Sequence, residues 1–135
     1  MLFRSQLVRQ GLRARALLTR ESLENAARMV LALGGSTNAA LHLPAVAREA
    51  GFELSLERLD ALSRGTPLIA RFKPASPHTL LDLQRAGGVP AALKILAPLL
   101  HLDLPTVSGE SLRARADRAR VARPEVLHPD RKSVV

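Results

Sequence analysis

The sequence contains no cysteine, tryptophan or tyrosine, and only three of its 135 residues are phenylalanine. The absence of cysteine excludes disulfides and thiolate metal sites. With so few aromatic residues, we expect a core built from Leu, Ala, Val and Ile. No run approaches the roughly 18 consecutive apolar residues of a membrane helix, and the N-terminus lacks the apolar region of a secretory signal. We therefore expect a cytoplasmic protein that does not bind a membrane.

The chain does have an excess of basic residues, with a formal net charge of +8. Four arginines fall in a helix predicted over 111–121, where they could contact phosphates. They alternate with other residues around the helix instead of forming one stripe, and the aromatic platforms of single-strand binders are missing. We therefore interpret this helix as solvated or packed on another domain, and keep a basic nucleic-acid-binding helical module as a remote alternative. The arginines are Arg113, Arg115, Arg118 and Arg120.

A glycine-rich turn, Gly34-Gly35-Ser36-Thr37-Asn38, separates two apolar helical patterns. Gly34 ends the first pattern, and the three polar residues are all good N-caps for the second. A helix beginning there would direct unpaired N–H groups towards a carboxylate or phosphate. Ser36, Thr37 and Asn38 are therefore candidates for a substrate pocket or a subunit contact. The alternative is a plain joint between two helices.

The spacing of apolar residues predicts mainly helices, joined by short loops. Two short apolar runs, 68–72 and 104–107, are predicted as strands, and prolines predict an extended tail after residue 121. Pro44 is expected to kink the second helix or to mark its first turn. Helices are predicted over residues 20–33, 38–50, 55–62, 80–85, 89–100 and 111–121. The apolar residues predicted to share an inner face include Leu23 and Ala27 in the first helix, Val46 and Ala47 in the second, and Leu56, Leu59 and Leu62 in the third.

No catalytic or metal-ligating set is visible in the sequence. The four histidines are scattered without metal-ligand spacing, and no two carboxylates are paired for acid–base chemistry. A second Gly-Gly pair, Gly87-Gly88, joins two predicted helices. We interpret it as a site of tight helix packing, with a backbone wall beside a ligand as the alternative. The histidines are His42, His78, His101 and His128, and the single carboxylates considered are Asp82, Asp103 and Glu125.

The exact residue sequences of several segments are more informative than the helix and turn signals that they contain. The stretch LGGSTNAALHLPAVAREAG over 33–51 resembles the dihydroxy-acid dehydratase and sugar-acid dehydratase family. Other segments agree with that family in order and spacing, so the resemblance covers roughly residues 17–129. They are LTRESLENA over 18–26, FKPASP over 72–77, DLQRAGGVPA over 82–91, LHLD over 100–103 and TVSG over 106–109.

The resemblance implies an α/β, helix-dominated fold that forms part of a three-layer α/β/α domain. Enzymes of this family remove water from a 2,3-dihydroxy acid to give a 2-keto acid, and they are usually homo-oligomers. They use an iron–sulfur cluster and Mg²⁺, held partly by a carbamylated lysine, and a serine base. The segments 85–90 and 38–39 favour a branched acid of branched-chain amino-acid biosynthesis, with an aldonic sugar acid as the alternative.

None of those catalytic parts can be placed on this sequence, because the family's cluster motifs, magnesium ligands and serine base lie outside the matched region. We therefore expect an internal fragment of the family's N-terminal domain that binds no cofactor and is inactive alone. Residues 1–5 and 130–135 resemble translated sequencing adapter, which predicts that only 6–129 derive from a dehydratase gene. Such a fragment would expose surface meant for missing neighbours, and we expect marginal stability and aggregation.

Overall fold

The computed structural model describes residues 4–129, and within them the chain is dominated by helices, as the sequence predicted. The described residues form no named strand; their sole β-type pairing is an isolated bridge between Pro105 and Ser111. The helices are α1 (Arg4–Arg9), α2 (Ala14–Leu17), α3 (Arg20–Ala32), α4 (Ala39–Ala50), α5 (Leu56–Arg64), α6 (Leu80–Arg85), α7 (Gly88–Leu96) and α8 (Leu112–Arg118), with a 3-10 turn at Ala97–Leu99.

The core is divided into two apolar clusters, which consist of aliphatic side chains as the composition predicted. The larger one joins α3, α6 and α7 to two irregular segments around Ile69 and Leu127, both fully buried. The smaller one joins α3 to α4 through Leu23, Ala47 and Leu54. Helix α3 contributes to both clusters and is therefore the central element of the fold.

Helix α3 begins at Arg20, as predicted, and ends at Ala32, one residue before the predicted end. Thr19 is its N-cap, and the Thr19 and Ser22 side chains each accept a hydrogen bond from the other residue's backbone N–H. This reciprocal capping box satisfies two N–H groups that a helix start leaves without partners. Leu23 and Ala27 are buried as predicted, but so are two polar neighbours, Glu24 and Asn25.

Helices α4 and α5 are present, but less of their surface is buried than predicted. Pro44 lies inside α4 and not in its first turn, so the second of its two predicted roles does not apply. Ala47 is fully buried, whereas Val46, predicted on the same inner face, is 39% exposed. Leu56 was predicted to face inward, yet it is 62% exposed because it occupies the first turn of α5, beyond the edge of the small cluster.

The predicted strand at 68–72 is wrong, although the burial expected for it is correct. Ile69 and Ala70 are fully buried, but both backbone N–H groups donate to the carbonyl of Ala32 at the end of α3. The Ile69 carbonyl accepts from the N–H of His128. These bonds run to a helix end and to the tail, so the segment has no strand ladder. The predicted strand at 104–107 is likewise wrong: only the Pro105–Ser111 bridge forms there.

The tail was predicted to be extended, but it folds back as a turn. Val126 and Leu127 both donate backbone N–H bonds to the Arg123 carbonyl, and both side chains are fully buried. Burial of two large aliphatic side chains outweighs the local preference of Pro124 and Pro129 for extended backbone. The tail thus closes the larger core cluster.

Two short N-terminal helices, α1 and α2, were missed because their apolar spacing is too brief to mark a helix. Arg4 and Ser5, assigned to the first adapter-like segment, lie at the start of α1. The remaining adapter-like positions, 1–3 and 130–135, lie outside the described residues. The proposed boundaries at 6 and 129 stay a prediction.

Candidate functional site

The turn between α3 and α4 forms much as predicted, but the backbone N–H groups that follow it donate hydrogen bonds within the chain. Ser36, Thr37 and Asn38 are all exposed, and Asn38 occupies the N-cap position without a side-chain capping bond. Their carbonyls accept the N–H groups of Ala39, Ala40 and Leu41 at 2.9–3.1 Å. The first N–H groups of α4 are therefore already bonded, and the expectation of free donors for an anion is wrong at these positions.

Gly35 is required at this turn because the chain doubles back onto α3. Its N–H donates to the Val30 carbonyl at 2.8 Å, and an added Cβ would lie 2.7 Å from Val30 Cγ1. Gly34, beside it, has a φ of +66°, which favours glycine. The Gly-Gly pair thus fixes the angle at which α4 leaves α3.

An apolar cavity of about 180 Å³ lies under this turn. The hydroxyl-bearing residues Ser36 and Thr37 border it, whereas Asn38 does not. A cavity with aliphatic walls that two hydroxyl-bearing residues border suits an aliphatic ligand with a polar end. Its other lining residues are Ala27, Val30, Leu31, Gly35, Ala39, Ala40, Leu43 and Leu59.

Helix α3 also holds a buried carboxylate that pairs with a half-exposed arginine. The side chain of Glu24 is only 8% exposed, and it accepts two hydrogen bonds from Arg58 of α5, from Nε and Nη2, both at 2.8 Å. His101 Nε2 lies 3.6 Å from the second carboxylate oxygen. The bonds from Arg58 hold the pKa of the Glu24 carboxyl below its ordinary value, although burial acts in the opposite direction.

Asn25, the next residue, joins α3 to a segment 76 positions away. Its Nδ2 donates to the His101 carbonyl at 2.8 Å, and its Oδ1 accepts the His101 N–H at 2.9 Å. Sequence reasoning missed Glu24 and Asn25, because the apolar pattern alone was used to define the inner face of α3. Polar residues directly between Leu23 and Ala27 were the available signal.

Two carboxylates, Asp103 and Glu110, pair with arginines of α8. Asp103 accepts two bonds from Arg113, at 2.8 and 2.9 Å, and Glu110 accepts two from Arg118, at 2.7 and 2.9 Å. These bonds lower the pKa of both carboxyls. Arg115 Nε also lies 4.0 Å from Glu110. Two of the three arginines in α8 are thus held in bidentate pairs.

The second Gly-Gly pair is a packing site, as interpreted from the sequence. Gly87 has a φ of +115°, and an added Cβ would overlap the carbonyl oxygen of Arg120. The same Cβ would lie 2.7 Å from Ala91 Cβ. The Ala122 N–H donates to the Ala86 carbonyl at 2.9 Å, so the tail passes directly over this joint. The wall at Gly87 therefore faces the tail and not a ligand.

The described residues do not offer the donor set of a metal centre. Between residues 4 and 129, no three His, Cys, Asp or Glu side chains lie close enough together to hold an ion. In the same part of the chain, no helix is long and apolar enough to cross a membrane. The polar residues available for a functional role are thus Ser36 and Thr37 beside the cavity, and the cluster of Glu24, Arg58 and His101.

Comparison with known proteins agrees with the segments that first suggested a family. The sequence profile described as "Dihydroxy-acid/6-phosphogluconate dehydratase N-terminal" matches residues 4–115, well over half of the chain. The chain belongs to this dehydratase family. The turn, the cavity and the Glu24 cluster all lie within the matched residues.

Individual relatives in the family are similar along most of this chain. It is 50% identical to a dihydroxy-acid dehydratase of Methanothrix thermoacetophila over 109 residues. These residues cover 81% of this chain and 20% of that enzyme. It is 49% identical over 123 residues to one of Citrifermentans bemidjiense, covering 91% of this chain and 22% of that enzyme. The dihydroxy-acid dehydratase of Ignicoccus hospitalis is 46% identical over 126 residues, which cover 92% of this chain and 23% of that enzyme. The chain spans about a fifth of the length of these dehydratases.

Proposed function

We propose that this chain is a segment of a dihydroxy-acid dehydratase, a hydro-lyase that converts a branched 2,3-dihydroxy acid to a 2-keto acid and water. The observation that carries the proposal is the 50% identity to a relative bearing that name. The family description also includes 6-phosphogluconate dehydratases, so an aldonic sugar acid is the alternative substrate class. The whole enzyme would be a homo-oligomer of branched-chain amino-acid biosynthesis.

The family's iron–sulfur cluster and Mg²⁺ supply Lewis-acid chemistry when bound, but the residues present here do not fit either group. The sequence has no cysteine, and residues 4–129 gather no three-donor set. Cluster ligands are mainly Cys thiolates. We therefore assign the segment a structural role in the enzyme. Helix α3 positions the turn at 34–38, because the Gly35 N–H donates to the Val30 carbonyl. It also holds α5 through the ion pair between Glu24 and Arg58.

The proposal is tested by a chimera, in which this chain's matched residues replace the corresponding fifth of the Methanothrix thermoacetophila enzyme. We expect the reconstituted chimera to form a 2-keto acid from a branched 2,3-dihydroxy acid, and the 135-residue chain alone to form none. A chimera acting only on aldonic acids would favour the alternative substrate. A chimera that is insoluble or inactive on both would contradict the proposal, as would turnover by the chain alone with iron and magnesium supplied.

We further propose that Ser36, Thr37 and Asn38 contact the substrate or a neighbouring subunit. Support comes from the exposure of all three and from the cavity that Ser36 and Thr37 border. In the chimera, Ser36→Ala with Thr37→Val should raise KM or weaken oligomerisation by about tenfold, the effect of losing one or two hydrogen bonds. Ser63→Ala, at a half-buried position of α5 outside the cavity, is the matched control. Unchanged KM and unchanged oligomer dissociation would contradict the assignment.

The boundaries at 6 and 129 are proposed to separate dehydratase sequence from adapter-derived ends. Reading the source DNA outward past codons 6 and 129 tests this directly. We expect the dehydratase frame to continue on both sides into cysteine-bearing and serine-bearing segments. Native codons for residues 1–5 and 130–135 in the source locus would contradict it.

A further inference from the structure

The apolar cavity under the turn at 34–38 is formed by three helices and by the turn itself. Helix α3 contributes Ala27, Val30 and Leu31, and α4 and α5 contribute the facing aliphatic side chains. Among the described residues, those that line the cavity include no charged side chain. Its walls therefore favour an apolar group, which gains burial and dispersion contacts there, and they offer no ionic partner to a ligand.

The lining residues range from buried to exposed, which gives the cavity a direction. Ala27 is only 2% exposed, whereas Gly35, Ser36 and Thr37 of the turn are all exposed. The cavity is therefore closed towards α3 at Ala27 and open at the turn. A ligand would enter with its apolar part first and leave its polar groups at the mouth, beside the two hydroxyl-bearing residues.

The volume of the cavity, about 180 Å³, limits the size of the occupant. A dry apolar cavity of about 150 Å³ holds one benzene molecule, so a branched alkyl group of about three to five carbons fits here. A polyol chain of similar length fits poorly. Each hydroxyl that leaves water without a hydrogen-bond partner weakens binding by roughly tenfold, and the described lining offers side-chain hydroxyls only at Ser36 and Thr37.

We infer that this cavity, named here the alkyl cavity, holds the alkyl branch at C3 of a 2,3-dihydroxy acid, and that Leu31 and Ala39 set the size of the branch. The inference rests on the proposed function and deepens it, because it assigns the choice of a branched acid over an aldonic acid to particular residues. Leu31 and Ala39 are half-buried lining residues on the packed helices α3 and α4. A longer side chain at position 39 would fill the cavity, and a shorter one at position 31 would enlarge it.

The first test uses the chimera described above and measures its preference for a branch. It compares kcat/KM for 2,3-dihydroxy-3-methylbutanoate with that for 2,3-dihydroxypropanoate, which lacks both methyl groups. Each buried carbon is worth about fourfold, so we expect a preference of about tenfold or more for the branched acid. Ala39→Leu should reduce this preference to near unity.

The opposite change in the chimera should shift the preference towards a larger branch. Leu31→Ala should raise kcat/KM for 2,3-dihydroxy-3-methylpentanoate, which is one methylene longer, by about fourfold relative to 2,3-dihydroxy-3-methylbutanoate. Ala45→Leu, at an exposed position of α4 outside the cavity, is the matched control and should change neither ratio.

The second test measures benzene binding to the 135-residue chain, and it needs no enzyme activity. All the residues that define the cavity belong to this chain, so the wild type should bind benzene saturably, with shifts in the methyl resonances of Val30 and Leu31. Ala45→Leu should bind benzene equally well. Ala39→Leu should bind it at least about tenfold more weakly, because the added side chain occupies the same space.

Loss of benzene binding and of the branch preference in Ala39→Leu, with the control unchanged, supports the inference. Absence of benzene binding by the wild-type chain overturns it, and so do substrate ratios that neither variant changes. If Ala39→Leu lowers the urea midpoint, Leu31→Ala decides alone, and an unchanged preference between the two branched acids overturns the inference. A wild-type chimera that is inactive on every acid contradicts the proposed function instead, whatever the benzene result, so the two failures remain distinguishable.

Discussion

Replacing Gly87 by alanine is expected to lower the free energy of unfolding of the 135-residue chain by about 3 kcal/mol, combining the cost of overpacking with that of left-handed backbone. The added Cβ would overlap the Arg120 carbonyl oxygen and approach Ala91 Cβ to 2.7 Å. Backbone cannot rotate away as a side-chain tip can, so the tail would have to move and withdraw Val126 and Leu127 from the core. Urea unfolding followed by circular dichroism measures the loss.

Gly51→Ala is the matched control for this prediction. Gly51 also has a positive φ, +94°, but an added Cβ there would meet nothing within 4 Å. Only the conformational cost remains, about 1–2 kcal/mol. If the two variants lost equal stability, the close contact with the tail would contribute nothing to the free energy of unfolding. The packing role assigned to the second Gly-Gly pair would then be wrong.

Replacing Glu24 by alanine is expected to cost about 2–4 kcal/mol, because it removes two charge-assisted hydrogen bonds and leaves a small void. Asp103→Ala is the control with the same geometry: Arg113 binds Asp103 at 2.8 and 2.9 Å, as Arg58 binds Glu24 at 2.8 Å. The Asp103 side chain is 82% exposed against 8% for Glu24, so water replaces its partner and little stability is lost.

A double-mutant cycle and a pH series make the Glu24 prediction more specific. The coupling between Glu24 and Arg58 should exceed that between Asp103 and Arg113. Since the folded-state pKa of Glu24 is lowered, its contribution is present above the unfolded value of about 4.3 and is lost as pH falls through the folded value. The gap in stability between wild type and Glu24→Gln should therefore close on acidification. A gap that persists or widens at low pH would show that the charge does not contribute.

Local sequence signals predicted most helix starts in this chain. Thr19, Ser55, Thr79 and Ser111 are all observed as N-caps whose side chains accept a backbone N–H. These signals act over three or four residues, which is why they are visible in sequence. The helix predicted over 89–100 ends instead at Leu96, because Pro98 disrupts the continuation of α7 and a 3-10 turn forms at Ala97–Leu99.

The features that sequence reasoning missed depend on contacts between distant positions. The segment at 68–72 has strand-like composition, but its backbone bonds to Ala32 and His128 are not encoded in its own residues. Leu56 has helical spacing with Leu59, which packs against the small core cluster, yet only the three-dimensional arrangement places Leu56 outside that cluster. The candidate turn was located from sequence, whereas the cavity under it and the bonded state of the α4 donors required the fold.

The link between Asn25 and position 101 has a consequence for how the two positions tolerate change. The Asn25 side chain binds only main-chain atoms of residue 101, its N–H and its C=O. Every amino acid except proline supplies both groups, so a scan of position 101 should leave this bridge intact for all substitutions but one. At position 25, by contrast, even aspartate, which is isosteric but cannot donate, would lose half of the bridge. Position 25 therefore needs a single residue type for this contact, whereas position 101 accepts almost any.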